Sequence, residues 1–222
     1  ARCAMRFANR RAAGKLLAEQ ISLDLPAEPR LTPVVLGLPR GGVPVAYEVA
    51  RALASPLDVW LVRKIGVPGQ EELAAGAIAD GGVATWNNDV LAYEGLTPAD
   101  LAPTVARERA ELERRRHAYC GDHRPPAVKK RRVILVDDGI ATGASLFAAI
   151  ESLHHVGASS VWVAVPVAPP DTVARLRTQV EGVTCLLMPD NFRAIGVWYD
   201  DFAQTGDAEV VRLLADARAA LG

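Results

Sequence analysis

The sequence predicts an α/β fold, a mostly parallel sheet with helices on both faces, and three observations predict it. Five short apolar runs rich in β-branched residues recur along the chain: VVLGL (34–38), LDVWLV (57–62), VILVD (133–137), VWVAV (161–165) and VTCLLM (183–188). They are continuous rather than alternating, as a strand buried on both faces requires. Segments with helical spacing lie between them, and 222 residues suffice for one core of this kind.

Each element follows from local pattern. Before Pro33 there is room for one helix, around residues 12–21. Ala46, Val49, Ala50 and Leu53 then recur at i, i+3, i+4 and i+7. Residues 63–90 hold five glycines and little apolar periodicity, which predicts a mobile arm or a short hairpin. From Pro98 to about Tyr119 the run RERAELERRRH marks a charged helix, and KKRR (129–132) precedes the third strand. Leu146, Ile150 and Leu153 predict a helix that Gly157 stops. Val210, Leu214, Ala217 and Leu221 predict a last helix, with Asp207 as its N-cap. Residues 188–207 form a long aromatic loop; long loops in compact domains are usually functional or disordered, and the aromatic residues favour function.

Composition narrows the function classes. Hydrophobic residues make up 50% and charged residues 23%, ordinary usage for a globular chain. A net charge of −1 supplies no global field for nucleic acid or an anionic membrane, so both basic clusters read as solvated faces. No apolar run reaches the ~18 residues that a bilayer requires. The first residues lack the apolar stretch of a secretion signal, and Met5 reads as a native start. Cys3, Cys120 and Cys185 form no CxxC, which predicts inert thiols in a reduced cytoplasm. His117, His123, His154 and His155 lack metal-ligand spacing and read as surface residues.

The informative stretch is VILVDDGIATGAS (133–145). A buried strand ends in two carboxylates, Asp137 and Asp138, and the loop that follows holds no Lys or Arg to neutralise them. In open α/β sheets ligands sit outside the carboxyl ends of the strands. Carboxylates accept hydrogen bonds only, so a pair of hydroxyls, a metal or both would suit them. Ala141, Thr142, Gly143, Ala144 and Ser145 precede a helix, whose free N–H groups and dipole make an anion site. The chemistry reads as a vicinal diol and a phosphate about one sugar apart, a ribose 5-phosphate. An ATPase would need GxxxxGK[ST] upstream, which is absent, and a dinucleotide fold would need GxGxxG where the chain has GLPRGG. A capping role explains one Asp but not two.

This stretch resembles the phosphoribosyl-pyrophosphate (PRPP) motif of type I phosphoribosyltransferases. The resemblance implies a Rossmann-like fold with a small hood, in one domain over 1–222. Its core would span about 33–188 and its mobile arm about 63–90, with a hood from 188–207 and the N-terminal segment. It implies that Asp137 and Asp138 hold the ribose hydroxyls and that Ala141 to Ser145 cradle the 5-phosphate. GLPRGGVPVA (37–46) resembles the family's pyrophosphate loop, so Arg40 would meet the diphosphate, and Gly41 and Gly42 would let the backbone approach it. The resemblance also implies a cis peptide at Pro39–Arg40. VRK (62–64) resembles the basic border of the arm, with Arg63 and Lys64 closing over the diphosphate. MPDNFRAIGVWYDD (188–201) resembles the hood of purine-type members, with Phe192 as the base platform and Asp200 as a looser match for an acid near a metal or base.

The chain departs from purine-type members in two places. Ala141 stands where many carry an acid, as a small residue also does in uracil-type members, and no base-reading lysine occurs near Pro166. The implied reaction moves ribose 5-phosphate from PRPP to a nitrogen of a nucleobase or related heterocycle, releasing pyrophosphate with Mg²⁺ as cofactor. Arg40 and Lys64 would stabilise the leaving group. Expected partners are these substrates and a second copy in a homodimer, with no nucleic acid or membrane. A second reading is a PRPP- or nucleotide-sensing module without catalysis, but regulatory relatives carry an added DNA-binding helical segment.

Overall fold

The computed structural model describes residues 6–26, 32–123 and 127–221, so Cys3 and Met5 lie outside the described residues. Five strands form a parallel sheet. They are β1 (Val34–Gly37), β2 (Leu57–Val59), β6 (Arg132–Val136), β7 (Ser160–Val167) and β8 (Gly182–Leu187), set side by side in the order β2-β1-β6-β7-β8. Their side chains alternate between two apolar layers, which is why each run is continuous in sequence. Val35, Ile134 and Val136 face α1 (Arg10–Asp24), α2 (Gly42–Ala52), α4 (Ala102–Cys120) and α7 (Asp207–Ala219). Val34, Leu36, Val133 and Leu135 face α5 (Ala144–His155) and α6 (Pro170–Leu176).

Three local expectations change. The run 57–62 is not one strand. β2 stops at Val59, and Val62 opens β3 (Val62–Val67) of a second sheet. Trp60 and Leu61 are buried at the crossing, where Trp60 Nε1 donates to Ser152 Oγ at 2.8 Å and Leu61 N–H to Asp80 Oδ2 at 2.8 Å. The arm itself is a three-stranded antiparallel sheet, in which β4 (Gln70–Ala79) lies between β3 and β5 (Ala84–Trp86). Its register shifts on either side of Gly66, which breaks the period-two pattern in sequence. Asp207 is not the N-cap of the last helix. Gly206 takes that position without a side-chain bond, and the Asp207 carboxylate instead accepts from Tyr119 Oη at 3.0 Å. Sequence pattern also missed α6 and the short helix α3 (Asn88–Glu94), too brief to show a period.

The base of the arm is fastened by one half-buried guanidinium. Arg116 on α4 donates to Asp80 Oδ2 at 2.7 Å and Oδ1 at 3.0 Å, to Asp58 Oδ2 at 3.3 Å, and to the Val59 carbonyl at 2.8 Å. Asp58 is in the main sheet and Asp80 follows the arm's central strand, so a single side chain joins both sheets. Burial works against the charge on Arg116, but Asp80 and then Asp58 more than offset it and hold its pKa above the ordinary value. Burial, and next the charge of Asp58, push the Cys120 thiol up to about 12. Burial pushes Cys185 up to about 11. Both described thiols are therefore protonated at neutral pH and poor nucleophiles. The four histidines are exposed. Among the described residues no helix is long and apolar enough to cross a membrane.

Candidate active site

The two loops singled out in the sequence lie side by side. β1 and β6 are neighbours, and the Leu38 N–H donates to the Val136 carbonyl at 2.9 Å, carrying the ladder to the ends of both strands. The Pro39–Arg40 peptide is cis, as expected. A Cβ on Gly42 would lie 2.7 Å from the Val136 carbonyl oxygen and 2.9 Å from Asp137 Cα. One on Gly41 would lie 2.1 Å from Asp138 Oδ2. These glycines are thus required by the acidic pair itself, whatever ligand approaches them.

Asp137 is half-buried, and its Oδ1 accepts the Asp138 N–H at 2.8 Å. Asp138 is buried, and its Oδ2 accepts from Arg10 Nε at 2.7 Å. The neutralising cation absent from the local sequence therefore comes from α1, far away in the chain. Tyr199 Oη donates to the Asp138 carbonyl at 2.6 Å, so the hood grips the same residue from the other side. Burial, and then the charge of Asp138, hold the Asp137 carboxyl well above its usual range. Burial also raises Asp138, and Arg10 works in the opposite direction.

Beyond the acids the backbone opens. Ala141, Thr142, Ala144 and Ser145 are exposed, and Gly143 adopts φ +78° as the N-cap of α5. No side chain caps that helix, so the N–H groups of its first turn face the loop. The short 3₁₀ turn Ile195–Trp198 leans over the loop, since a Cβ on Gly139 would meet Ile195 Cγ2 at 2.6 Å.

The predicted cations are nearby but engaged. Arg40 lies 3.6 Å from Asp207 Oδ1, Arg63 pairs with Glu108 at 2.7 Å, and Lys64 with Glu72 inside the arm at 3.1 Å. Arg63, Pro39 and Ser145 line a cavity of about 60 Å³, together with Arg115 of α4, which the sequence did not single out. Lys64 borders a larger cavity of about 650 Å³ with Ala144 and Ser145. Phe192 is half-buried and outside the aromatic cluster of Phe7, Tyr199 and Phe202, which fills the space under the hood. Asp200, expected as an acid near a metal or base, is exposed. Its carboxylate is 62% exposed and 3.3 Å from Arg6, and the described residues contain no group of three or more His, Cys, Asp or Glu side chains that could hold an ion.

A parallel sheet that carries paired acids at one strand end, beside an uncapped helix start, has the frame of an α/β protein for phosphorylated sugars or nucleotides. A family model described as the phosphoribosyl transferase domain matches residues 8–203, and the chain belongs to that family. Two curated proteins of Mycobacterium tuberculosis, from strains CDC 1551 and H37Rv, each bear the name "Putative phosphoribosyl transferase". Each is 44% identical to this chain over 208 residues, which is 94% of this chain and 46% of the relative. The chain thus spans about half the length of these relatives. TT1426 from Thermus thermophilus, known from a crystal structure, is 46% identical with a TM-score of 0.81. That match covers 96% of this chain and 99% of TT1426.

Proposed function

We propose that this chain transfers ribose 5-phosphate from PRPP to a nitrogen of a nucleobase or related heterocycle, releasing pyrophosphate. The observation that supports this most is the pairing of Asp137 and Asp138 with the uncapped start of α5, one loop apart. The two carboxylates accept the ribose 2- and 3-hydroxyls, while the N–H groups and hydroxyls of residues 141–145 take the 5-phosphate. Displacement at C1 builds positive charge on the sugar, which the acids favour, and negative charge on the diphosphate. Arg40, Arg63 and Lys64 supply fixed positive charge there, once their present carboxylate partners release them. Mg²⁺, the cofactor of this reaction, would be held chiefly by oxygens of PRPP and by water, because the described side chains form no cage for it. When bound it supplies further charge stabilisation to the leaving group. The working unit is a homodimer in this reading. Incubating the protein with PRPP and Mg²⁺ against a panel of nucleobases and heterocycles, with pyrophosphate release as the readout, tests the proposal. PRPP binding without turnover on any acceptor would favour a sensing module instead.

Phe192 is the proposed base platform. Because it lies outside the apolar clusters, Phe192→Ala is expected to leave the melting temperature and PRPP affinity nearly unchanged. Base stacking on an aromatic is worth about 1–3 kcal/mol, so the acceptor KM should rise roughly 5- to 150-fold. An unchanged KM would remove Phe192 from the site.

The arm is proposed to close over bound PRPP and exclude water from the sugar cation. Its tip, residues 68–72, is exposed. Limited proteolysis should therefore nick the arm there, and PRPP with Mg²⁺ should slow the cut. Equal cleavage with and without ligand would argue against a lid.

A further inference from the structure

Arg10 makes the closest charged contact to the acidic pair among the described residues, although no motif in the sequence singles it out. Its guanidinium is held at three points. Nε donates to Asp138 Oδ2 at 2.7 Å, Nη1 donates to the Ala203 carbonyl at 2.7 Å, and Cζ lies 3.9 Å above the centroid of the Phe202 ring. Phe202 in turn stacks on Tyr199, with centroids 5.0 Å apart, and Tyr199 Oη is the group that donates to the Asp138 carbonyl. The Arg10 side chain is 11% exposed and that of Asp138 10%, so solvent screens the pair weakly.

We infer that Arg10 is a positioning residue for the acidic pair: from α1 it fixes one oxygen of Asp138, favours the charged form of that carboxylate, and leaves its other oxygen for a ribose hydroxyl. The inference rests on the reading that the pair receives the sugar. Two adjacent carboxylates, one half-buried and one buried, would otherwise share a proton, and a shared proton would cost the site one acceptor. Among the described residues, the titratable and charged groups facing Asp138 are Asp137 at the same strand end, Arg10 on α1 and Tyr199 in the hood. Arg10 is the one fixed cation among them. The hood and the first helix thereby act on the sugar-binding acids without touching the sugar.

The test has two readouts, one independent of any ligand. Aspartate is labelled with ¹³C at its carboxyl carbon, and the Asp138 resonance is assigned by its loss in Asp138→Asn. In Arg10→Gln the Asp138 titration should move to higher pH than in the parent. PRPP affinity measured by calorimetry in Mg²⁺ should fall roughly tenfold or more at neutral pH, with its acid limb displaced upward in parallel. A folded Arg10→Gln whose Asp138 titrates as in the parent overturns the inference, and so does an unchanged pH profile for PRPP. A purely structural role would lower affinity evenly across pH. Should Arg10→Gln fail to fold, Arg10→Lys carries the test. It keeps the charge but not the fork, so Asp138 should titrate close to the parent while PRPP binding weakens, and parental affinity in that variant overturns the inference. A parent protein that binds no PRPP at any pH would sink the phosphoribosyl reading instead. The carboxyl titration would then decide by itself whether Arg10 sets the ionisation of Asp138.

Discussion

Asp137→Asn combined with Asp138→Asn is expected to weaken PRPP binding by at least about 100-fold, because each lost charge-assisted hydrogen bond is worth about 1.5–3 kcal/mol. Both side chains keep their size, and the amide oxygen at 137 can still accept the N–H of residue 138, so the loop should keep its shape. Calorimetry in Mg²⁺ measures the loss, and affinity equal to the parent's would remove the pair from the sugar. The single variant Asp137→Asn has a second expected result. Burial and the neighbouring charge raise the Asp137 carboxyl above its unfolded value in the folded protein. The folded state therefore favours the protonated acid. Stability from this group is fully present below the unfolded pKa, about 3.9, and is lost as pH rises through the folded value. At neutral pH Asp137→Asn should thus melt higher than the parent while binding PRPP worse. The gap in melting temperature should close as pH is lowered into the acid range. A variant that melts lower at neutral pH would mean that the carboxylate contributes to the fold.

Arg116→Met should produce the largest loss of stability away from the site. Asp58 and Asp80 are 5% and 4% exposed, and removal of their common cation leaves two buried carboxylates without it. Breaking a buried pair in this way costs about 3–5 kcal/mol. For a chain of this size that lowers the melting temperature by roughly 6–20 °C. The Val59 carbonyl loses a donor as well. Arg116→Lys should recover part of the loss, since one ammonium cannot reproduce bonds to two carboxylates and a carbonyl. Thermal melts of the three proteins at one pH decide the matter, and a loss below ~1 kcal/mol would show that the network is dispensable. Because the guanidinium joins the main sheet to the base of the arm, the arm should also become more sensitive to protease in Arg116→Met.

What the sequence disclosed follows from the range of the forces involved. The core strands were legible because burial on two faces writes itself as unbroken runs, such as 133–136 and 161–165. The acidic pair was legible because two carboxylates at a strand end have no cheap structural use. The arm was read only as an irregular or hairpin segment, since Gly66 and Gly76 admit a shifted register and a close strand approach that no period reveals. Arg10 was invisible because its partner is 128 positions away and its own helix gives no hint of it. Tyr199 and Phe202 were seen as an aromatic loop, but their grip on Asp138 depends on tertiary placement. Asp207 looked like an N-cap because its residue type and position suited one. The structure uses it to receive Tyr119, and that long-range bond overrides the local preference.

The van der Waals contact between Gly41 and the carboxylate of Asp138 has a consequence for how such a protein can change. No side chain fits between the loop after β1 and the acids after β6, so neither can shift without displacing the other. The two loops are packed as one block. A mutation that retunes the grip on one end of a bound molecule alters the grip on the other in the same step. Divergence is freer at the rim, in residues 188–194 and in the tip of the arm, where among the described residues no such contact ties the backbone to the acids. Variants selected for a new acceptor should accumulate there and leave 39–42 and 137–138 as they are.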